Sequence, residues 1–234
     1  MIIHWAPIPA FFIRFDGLRK LNPRQPSRDI AAMKLYILFA IKIKTHGVSG
    51  GVSLTYDEMT EMVGLSRTLV SAGIKRLLAL DLIDIEGAKK KRYMLKQDVN
   101  YKGWTKTPAR PLFNEKGTIT AFASFHNRYD YELNSLKLFL YLLFIRSNDK
   151  PYSVVTNAKI YQKTGMTYSE IHAAIGFMEA CGLLISRKLE TEGGNPLYDG
   201  NDNMQAYRYE ILGGGTLVKG SLISSVDNDD DLDF

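Results

Sequence analysis

Four consecutive cations, Lys89-Lys90-Lys91-Arg92, follow the turn-forming run Glu86-Gly87-Ala88. A short hairpin tip this dense in positive charge suits phosphate oxygens, because each neutralised phosphate releases condensed counterions. Upstream lie Ser66, Arg67, Thr68 and Ser71, then Lys75 and Arg76. On a helix these residues have the chemistry of major-groove readout. The Arg67 guanidinium can bind a guanine edge through two hydrogen bonds. The hydroxyls of Ser66, Thr68 and Ser71 can reach bases or phosphate, and Lys75 and Arg76 suit the sugar-phosphate backbone. Taken alone, the basic turn is equally a solvated loop that keeps a hairpin soluble. Next to such a helix it favours double-stranded DNA as the partner.

The pattern supplies the elements that must hold these side chains. Ser27 is placed to cap a long helix carrying Asp29, with Ile30, Met33, Leu35, Ile37, Leu38 and Ile41 on a broad apolar face and Gly47 and Gly50-Gly51 at its end. A second helix spans about 55–63, with Ser53 or Thr55 as cap and Asp57 and Glu58 near its positive end. Gly64 allows a tight turn, and Ser66 caps a third helix running to about Leu80. Strands follow over 82–85 and 91–95. Helix, helix, turn, helix, hairpin is the order of a winged helix-turn-helix.

The chain then repeats itself. Val63-Gly64-Leu65-Ser66 recurs as Thr164-Gly165-Met166-Thr167, Leu80-Asp81-Leu82-Ile83 recurs as Cys181-Gly182-Leu183-Leu184, and Met33-Lys34-Leu35-Tyr36 is matched by Leu136-Lys137-Leu138-Phe139. A period this long implies two domains of one kind. The expected fold is therefore mainly α with small β-hairpin wings, an α+β chain of two tandem winged helix-turn-helix domains. Five segments follow: an N-terminal arm over 1–27, a first domain over 28–98, a connection over 99–125, a second domain over 126–213 and an acidic tail over 214–234. The connection contains Trp104, Leu112, Phe113, Phe122 and Phe125, too apolar for a free linker.

The copies differ in charge. Residues 1–110 hold 19 Lys+Arg against 9 Asp+Glu, a net of +10, and residues 111–234 hold 11 against 16, a net of −5. The first copy is the better partner for a polyanion. In the second, helices are expected over about 132–147, 156–164 and 167–181, and strands over 183–189 and 205–212. Its third helix begins Thr167-Tyr168-Ser169-Glu170-Ile171-His172, with an acid and no cation in the first turn. Tyr168, Ser169 and His172, with Arg187, Lys188 and Arg208 on the strands, fit a weaker DNA contact or a protein contact such as a homodimer. The stretch from Glu190 to Met204, with Gly193-Gly194-Asn195-Pro196, reads as a long mobile loop.

Other classes find little support. One cysteine excludes an intramolecular disulfide framework and fits a cytoplasmic protein. The apolar stretches 35–41 and 138–145 are too short to cross a bilayer, and Pro7 and Pro9 break up residues 1–15, so neither a membrane nor a secretory signal is expected. Phosphate-binding glycine loops and paired-histidine motifs are absent from the sequence, which predicts a non-enzyme without metal or cofactor.

The two related units over about 28–212 resemble the tandem winged-helix proteins that initiate or control replication of plasmids and related mobile elements. That resemblance implies sequence-specific binding to repeated origin sites, with one winged helix often given to dimerisation. In those initiators the second unit is commonly the stronger DNA binder, whereas charge here favours the first. A transcriptional regulator with the same chemistry and a protein-interaction scaffold are the competing expectations. The end of the chain, Asp229-Asp230-Asp231-Leu232-Asp233-Phe234, resembles the acidic tip of bacterial single-stranded-DNA-binding proteins, without that tip's Pro before Phe. This implies docking of Phe234 on a replication or repair protein; a solvated acidic tail and a tail folded back on the basic wing are the alternatives.

Overall fold

The computed structural model describes residues 4–47, 50–114, 117–189 and 206–217. The protein is a mixed α+β chain, with three small antiparallel sheets among the described residues. Strand β1 (Trp5–Pro9) leads through the short helix α1 (Phe11–Arg14) and a 3-10 turn (Gly17–Lys20) into α2 (Pro26–His46). Then come β2 (Gly51–Val52), α3 (Tyr56–Val63), α4 (Arg67–Ala79), and the hairpin β3 (Ile83–Glu86) and β4 (Arg92–Leu95). Strand β5 (Trp104–Pro108) precedes the second copy, which runs α5 (Asp130–Ile145), β6 (Tyr152–Thr156), α6 (Asn157–Thr164), α7 (Tyr168–Ala180), β7 (Leu184–Lys188) and β8 (Ala206–Ile211). The sheets have matching orders, β2-β4-β3 and β6-β8-β7.

Local chemistry accounts for the element boundaries. Thr55 accepts from the Glu58 N–H while the Glu58 carboxylate accepts from Thr55, a complete capping box, and Thr167 with Glu170 repeats it at α7. Gly64 and Gly165 end α3 and α6 with φ of +62° and +73°, a conformation that a β-carbon disfavours. The start of α2 departs from expectation. Pro26 is its first residue and Ser27 lies inside it, because the fixed φ of proline suits the first turn and its missing N–H has no partner to lose there.

The two copies are not separate bodies. One continuous apolar cluster runs from Ala6 to Ile211, and α2 and α5 pack against each other at its centre. Both helices are buried almost all round, as their apolar composition requires. The N-terminal arm and the connection between the copies pair as an antiparallel ribbon, with Trp5 opposite Pro108 and Pro9 opposite Trp104. The ribbon's inner face is buried at Ala6, Ile8, Thr105 and Thr107, and the Thr105 hydroxyl donates to the Leu143 carbonyl at 2.7 Å.

Each copy is also gripped by the segment that precedes the other copy's long helix. Lys34 on α2 reaches the carbonyls of Val63 (3.1 Å) and Phe122 (3.3 Å) and the Asn127 side chain (2.6 Å). Asn127 donates in turn to the Gly64 carbonyl at 3.0 Å. On the other side Arg19 donates to the Gln162 carbonyl at 2.9 Å, and Lys163 pairs with Asp16 at 3.0 Å. Buried Glu132, at the start of α5, accepts from the backbone N–H groups of His126, Arg128 and Tyr129. Buried Asp29, at the start of α2, accepts from the Asn22 N–H at 2.6 Å and from Arg76 at 2.7 Å.

Burial lowers the Lys34 pKa to about 7 from its ordinary 10.5, against the opposing field of Glu132. The folded protein therefore releases this proton before the unfolded chain does. The burial cost is present in full below pH 7 and is relieved as pH rises from 7 towards 10.5. Relative to Lys34→Met, the wild type should gain about 1 kcal/mol per pH unit between pH 7.5 and 9.5. Urea midpoints of the two proteins at pH 6, 7.5 and 9.5 measure this, and a constant difference refutes it. A second expectation concerns Gly73, where a β-carbon would lie 2.9 Å from the Ala31 carbonyl carbon. Gly73→Ala should destabilise the protein by about 1–2 kcal/mol despite the better helix propensity of alanine, as read by chemical denaturation.

Candidate nucleic-acid interface

The first turn of α3 brings the two predicted cationic groups together. Asp57 on that turn meets Arg67, the first residue of α4, at 2.6 Å, with both side chains exposed. The same turn, through Thr55, Tyr56 and Glu58, borders a cleft of about 420 Å³ whose far wall is Lys89, Lys90 and Lys91. A neighbouring cleft of about 470 Å³ is lined by Lys42, Glu58, Lys90 and Arg92. The start of α4 and the tip of the β3–β4 hairpin therefore flank one surface.

Within that surface the residues have different commitments. Ser66 spends its hydroxyl as the cap of α4, accepting from the Leu69 N–H at 3.2 Å. Thr68 and Lys75 are exposed and Ser71 is half-buried. Lys89, Lys90 and Lys91 are exposed, and they and Lys75 form no ion pair among the described residues. Arg92 is half-buried, 3.9 Å from Glu86, its cross-strand neighbour. Gly87 turns the hairpin with φ of +84°.

Arg76 departs from the expected role. Its side chain is only 16% exposed and bonds to fully buried Asp29 and, at 2.7 Å, to the Lys20 carbonyl. A guanidinium with this geometry ties α4 to the start of α2 and is not free for phosphate. Its sequence neighbourhood suggested a surface cation because Asp29 lies 47 residues away and comes close only through folding.

Two acids and one cation enter the site without having been assigned to it. Asp57 holds Arg67, so a base contact by Arg67 requires that pair to open. Glu58 is satisfied inside its capping box, where hydrogen bonds from the Thr55 N–H and hydroxyl, and then the Lys42 and Lys90 charges, hold its carboxyl below the usual range. Lys42 is itself lowered by burial. The capping pattern Thr55 to Glu58 was readable in sequence, but the Asp57–Arg67 contact was not.

The second copy has a less cationic surface. Tyr168 stacks on Tyr161 with centroids 6.0 Å apart, while Ser169 and His172 are exposed. Glu170 occupies the first turn of α7 within its capping box. Arg187 and Lys188 are exposed on β7. Arg208 lies 2.9 Å from Glu210 and stacks 3.8 Å over Tyr152, directly across the strands from Arg187. The expected long loop over 190–204 and the tail residues Asp229, Asp230, Asp231, Leu232 and Phe234 lie outside the described residues.

Among the described residues no helix is long and apolar enough to cross a membrane, and no three His, Cys, Asp or Glu side chains gather as metal ligands. The sequence matches no protein-family model and no curated protein.

Replacing Arg76 with alanine leaves the Asp29 carboxylate buried with Asn22 as its main partner. The variant should lose about 2 kcal/mol of stability in urea unfolding, a figure reduced for the partial exposure of Arg76. An unchanged midpoint would remove Arg76 from the structural role assigned to it.

Proposed function

We propose that this chain is a tandem winged-helix protein that binds double-stranded DNA sequence-specifically through α4 and the β3–β4 hairpin. The observation that carries this reading is the convergence of Arg67 with Lys89, Lys90 and Lys91 around the first turn of α3. The strand order β2-β4-β3 behind the α3–α4 corner supports the winged-helix assignment, and its recurrence as β6-β8-β7 supports the tandem one. The net charge of residues 1–110 supports the first copy as the main contact.

On this reading α4 presents its first turn to the major groove and the hairpin lays its lysines along the phosphates. Thr68 and Arg67 meet base edges, Arg67 exchanging Asp57 for a guanine; Lys75 and Lys89 to Lys91 neutralise phosphate. The second copy presents Glu170 at the equivalent point, which favours a protein contact there, including a second copy of this chain. Replication or maintenance of a plasmid or mobile element is the role proposed for the DNA-binding activity, with transcriptional regulation as its competitor. Selection of duplexes from a random pool separates them: direct repeats favour the first and a short palindrome the second.

Three or four phosphate contacts should give a slope of about −3 in log affinity against log salt. Replacing Lys89, Lys90 and Lys91 together with alanine should flatten it. Duplex binding that is salt-insensitive, or unchanged in the triple variant, sinks the reading. Asp57→Asn releases Arg67 from an exposed ion pair and should tighten binding to the selected site about two- to fivefold. Arg67→Ala should relax preference at one base pair by about 1–3 kcal/mol. Equal weakening on all sequences would make Arg67 a phosphate contact instead.

A further inference from the structure

The outer face of the β1–β5 ribbon carries a second constellation, separate from α4 and the hairpin. Trp5 and Trp104 stack there with ring centroids 5.2 Å apart and planes only 4° from parallel. Trp104 is 50% exposed. The ammonium groups of Lys106 and Lys44 lie 5.3 Å and 5.7 Å from the Trp5 ring. Beside the stack opens a cleft of about 410 Å³, bordered by Pro7, Pro9, Lys44, Leu95 and Gln97. The platform is rigid, because the ribbon's inner face is buried and Thr105 is bonded to α5.

We propose that this face is a stacking platform for unpaired nucleobases, a single-stranded nucleic-acid site distinct from the duplex surface. A half-exposed indole lying flat against a second indole adds little to the core, and its exposed surface can take a third ring. Every base has a flat polarisable face to place there, which makes such a site tolerant of sequence. Lys44 and Lys106 supply the charge for the flanking phosphates, and Gln97 brings a donor and an acceptor to the edge of the cleft. The same two cations repel a cationic ligand such as a methylated lysine. The cleft lies at the small end of the range for ligand pockets, about 300–1,000 Å³, a fit for one nucleoside and not for a folded element. At the ribbon end where Pro9 opposes Trp104, Phe15 is 58% exposed and meets Tyr101 edge-on at 5.8 Å, with Arg14 above the Tyr101 ring. A strand leaving the indoles there meets a second aromatic step and a third cation.

Trp5 and Trp104 are the chain's two tryptophans, so fluorescence excited at the red edge, where tyrosine does not absorb, reports on this platform alone. The full-length protein is titrated with a ten-residue oligothymidylate and, separately, with a ten-base-pair duplex. The expected result is saturable quenching by the single strand, with a log-log salt slope of about −1.4 for two neutralised phosphates, and little quenching by the duplex. Anisotropy of the labelled single strand should show about tenfold weaker binding for Trp104→Ala and near wild-type binding for Trp104→Phe, which keeps a stacking face. Absence of saturable quenching overturns the proposal, as does equal binding by wild type and Trp104→Ala. Stronger quenching by a peptide of residues 218–234 than by the oligothymidylate also overturns it, making the platform a dock for an acidic chain. Duplex binding through the hairpin is read by anisotropy in the same samples, so either activity can fail without the other.

Discussion

Everything in this fold depends on how the two buried central helices are held against each other. Helices α2 and α5 are apolar on nearly every side, so neither copy can bury its own long helix unaided. The contact is fastened twice, in reciprocal fashion. The segment before α5 supplies Phe122 and Asn127 to Lys34 and to the turn at Gly64, while the segment before α2 supplies Asp16 and Arg19 to the end of α6. Asp29 and Glu132 hold corresponding positions at the starts of the two helices, each buried, Glu132 collecting backbone N–H groups and Asp29 accepting from the Asn22 N–H and the Arg76 guanidinium. Buried charges of this kind are poor sources of net stability but costly to unpair, so each fixes how the chain enters its own long helix.

The near-symmetry of that lock makes the departures from it informative. Gly73 lets α4 come within van der Waals contact of the α2 backbone, whereas α7 carries the larger, fully buried Ala174 at the corresponding position. Helix α4 is thus seated more closely on α2 than α7 is on α5. Its partner hairpin is short and cationic, while the strands of the second copy carry Arg208 already shared between Glu210 and Tyr152. A duplicated frame has kept its packing and let its surfaces diverge. That divergence supports assigning the polyanion contact to the first copy.

The helices were legible in the sequence because their signals are local. Thr55, Ser66 and Thr167 cap where their side chains predict, and α4 and α7 begin and end within a residue or two of expectation. Strands β2 and β6 went unassigned for different reasons. The first is two residues long and follows glycines, so it exists only because β4 pairs with it. The second, Tyr-Ser-Val-Val-Thr, carries the β-branched run Val154-Val155-Thr156 and was readable. The pairing of β1 with β5 joins segments about a hundred residues apart, and no local pattern specifies a partner at that distance. The site divides the same way: the exposed cations were visible as a run, whereas the capture of Arg76 by Asp29 and of Arg67 by Asp57 is a product of folding.

The last turns of α2 connect the two proposed nucleic-acid surfaces. Lys42 lines the cleft shared with Lys90 and Arg92, and Lys44, two residues on, lines the cleft beside the tryptophans. Strand β4 and its continuation serve both as well, through Arg92 on one side and Leu95 on the other. Two sites joined by a flexible linker have a separation governed by chain entropy, and the second binds at an effective concentration that falls with linker length. Two sites on opposite flanks of one helix have a separation set by the packing of the ribbon and of β4 on that helix. A duplex held on the hairpin and an unpaired strand held on the indoles would then differ in position by a fixed vector. Only nucleic acid whose paired and unpaired portions match that vector can occupy both, which turns the α2–α5 lock from a stabilising contact into a determinant of specificity.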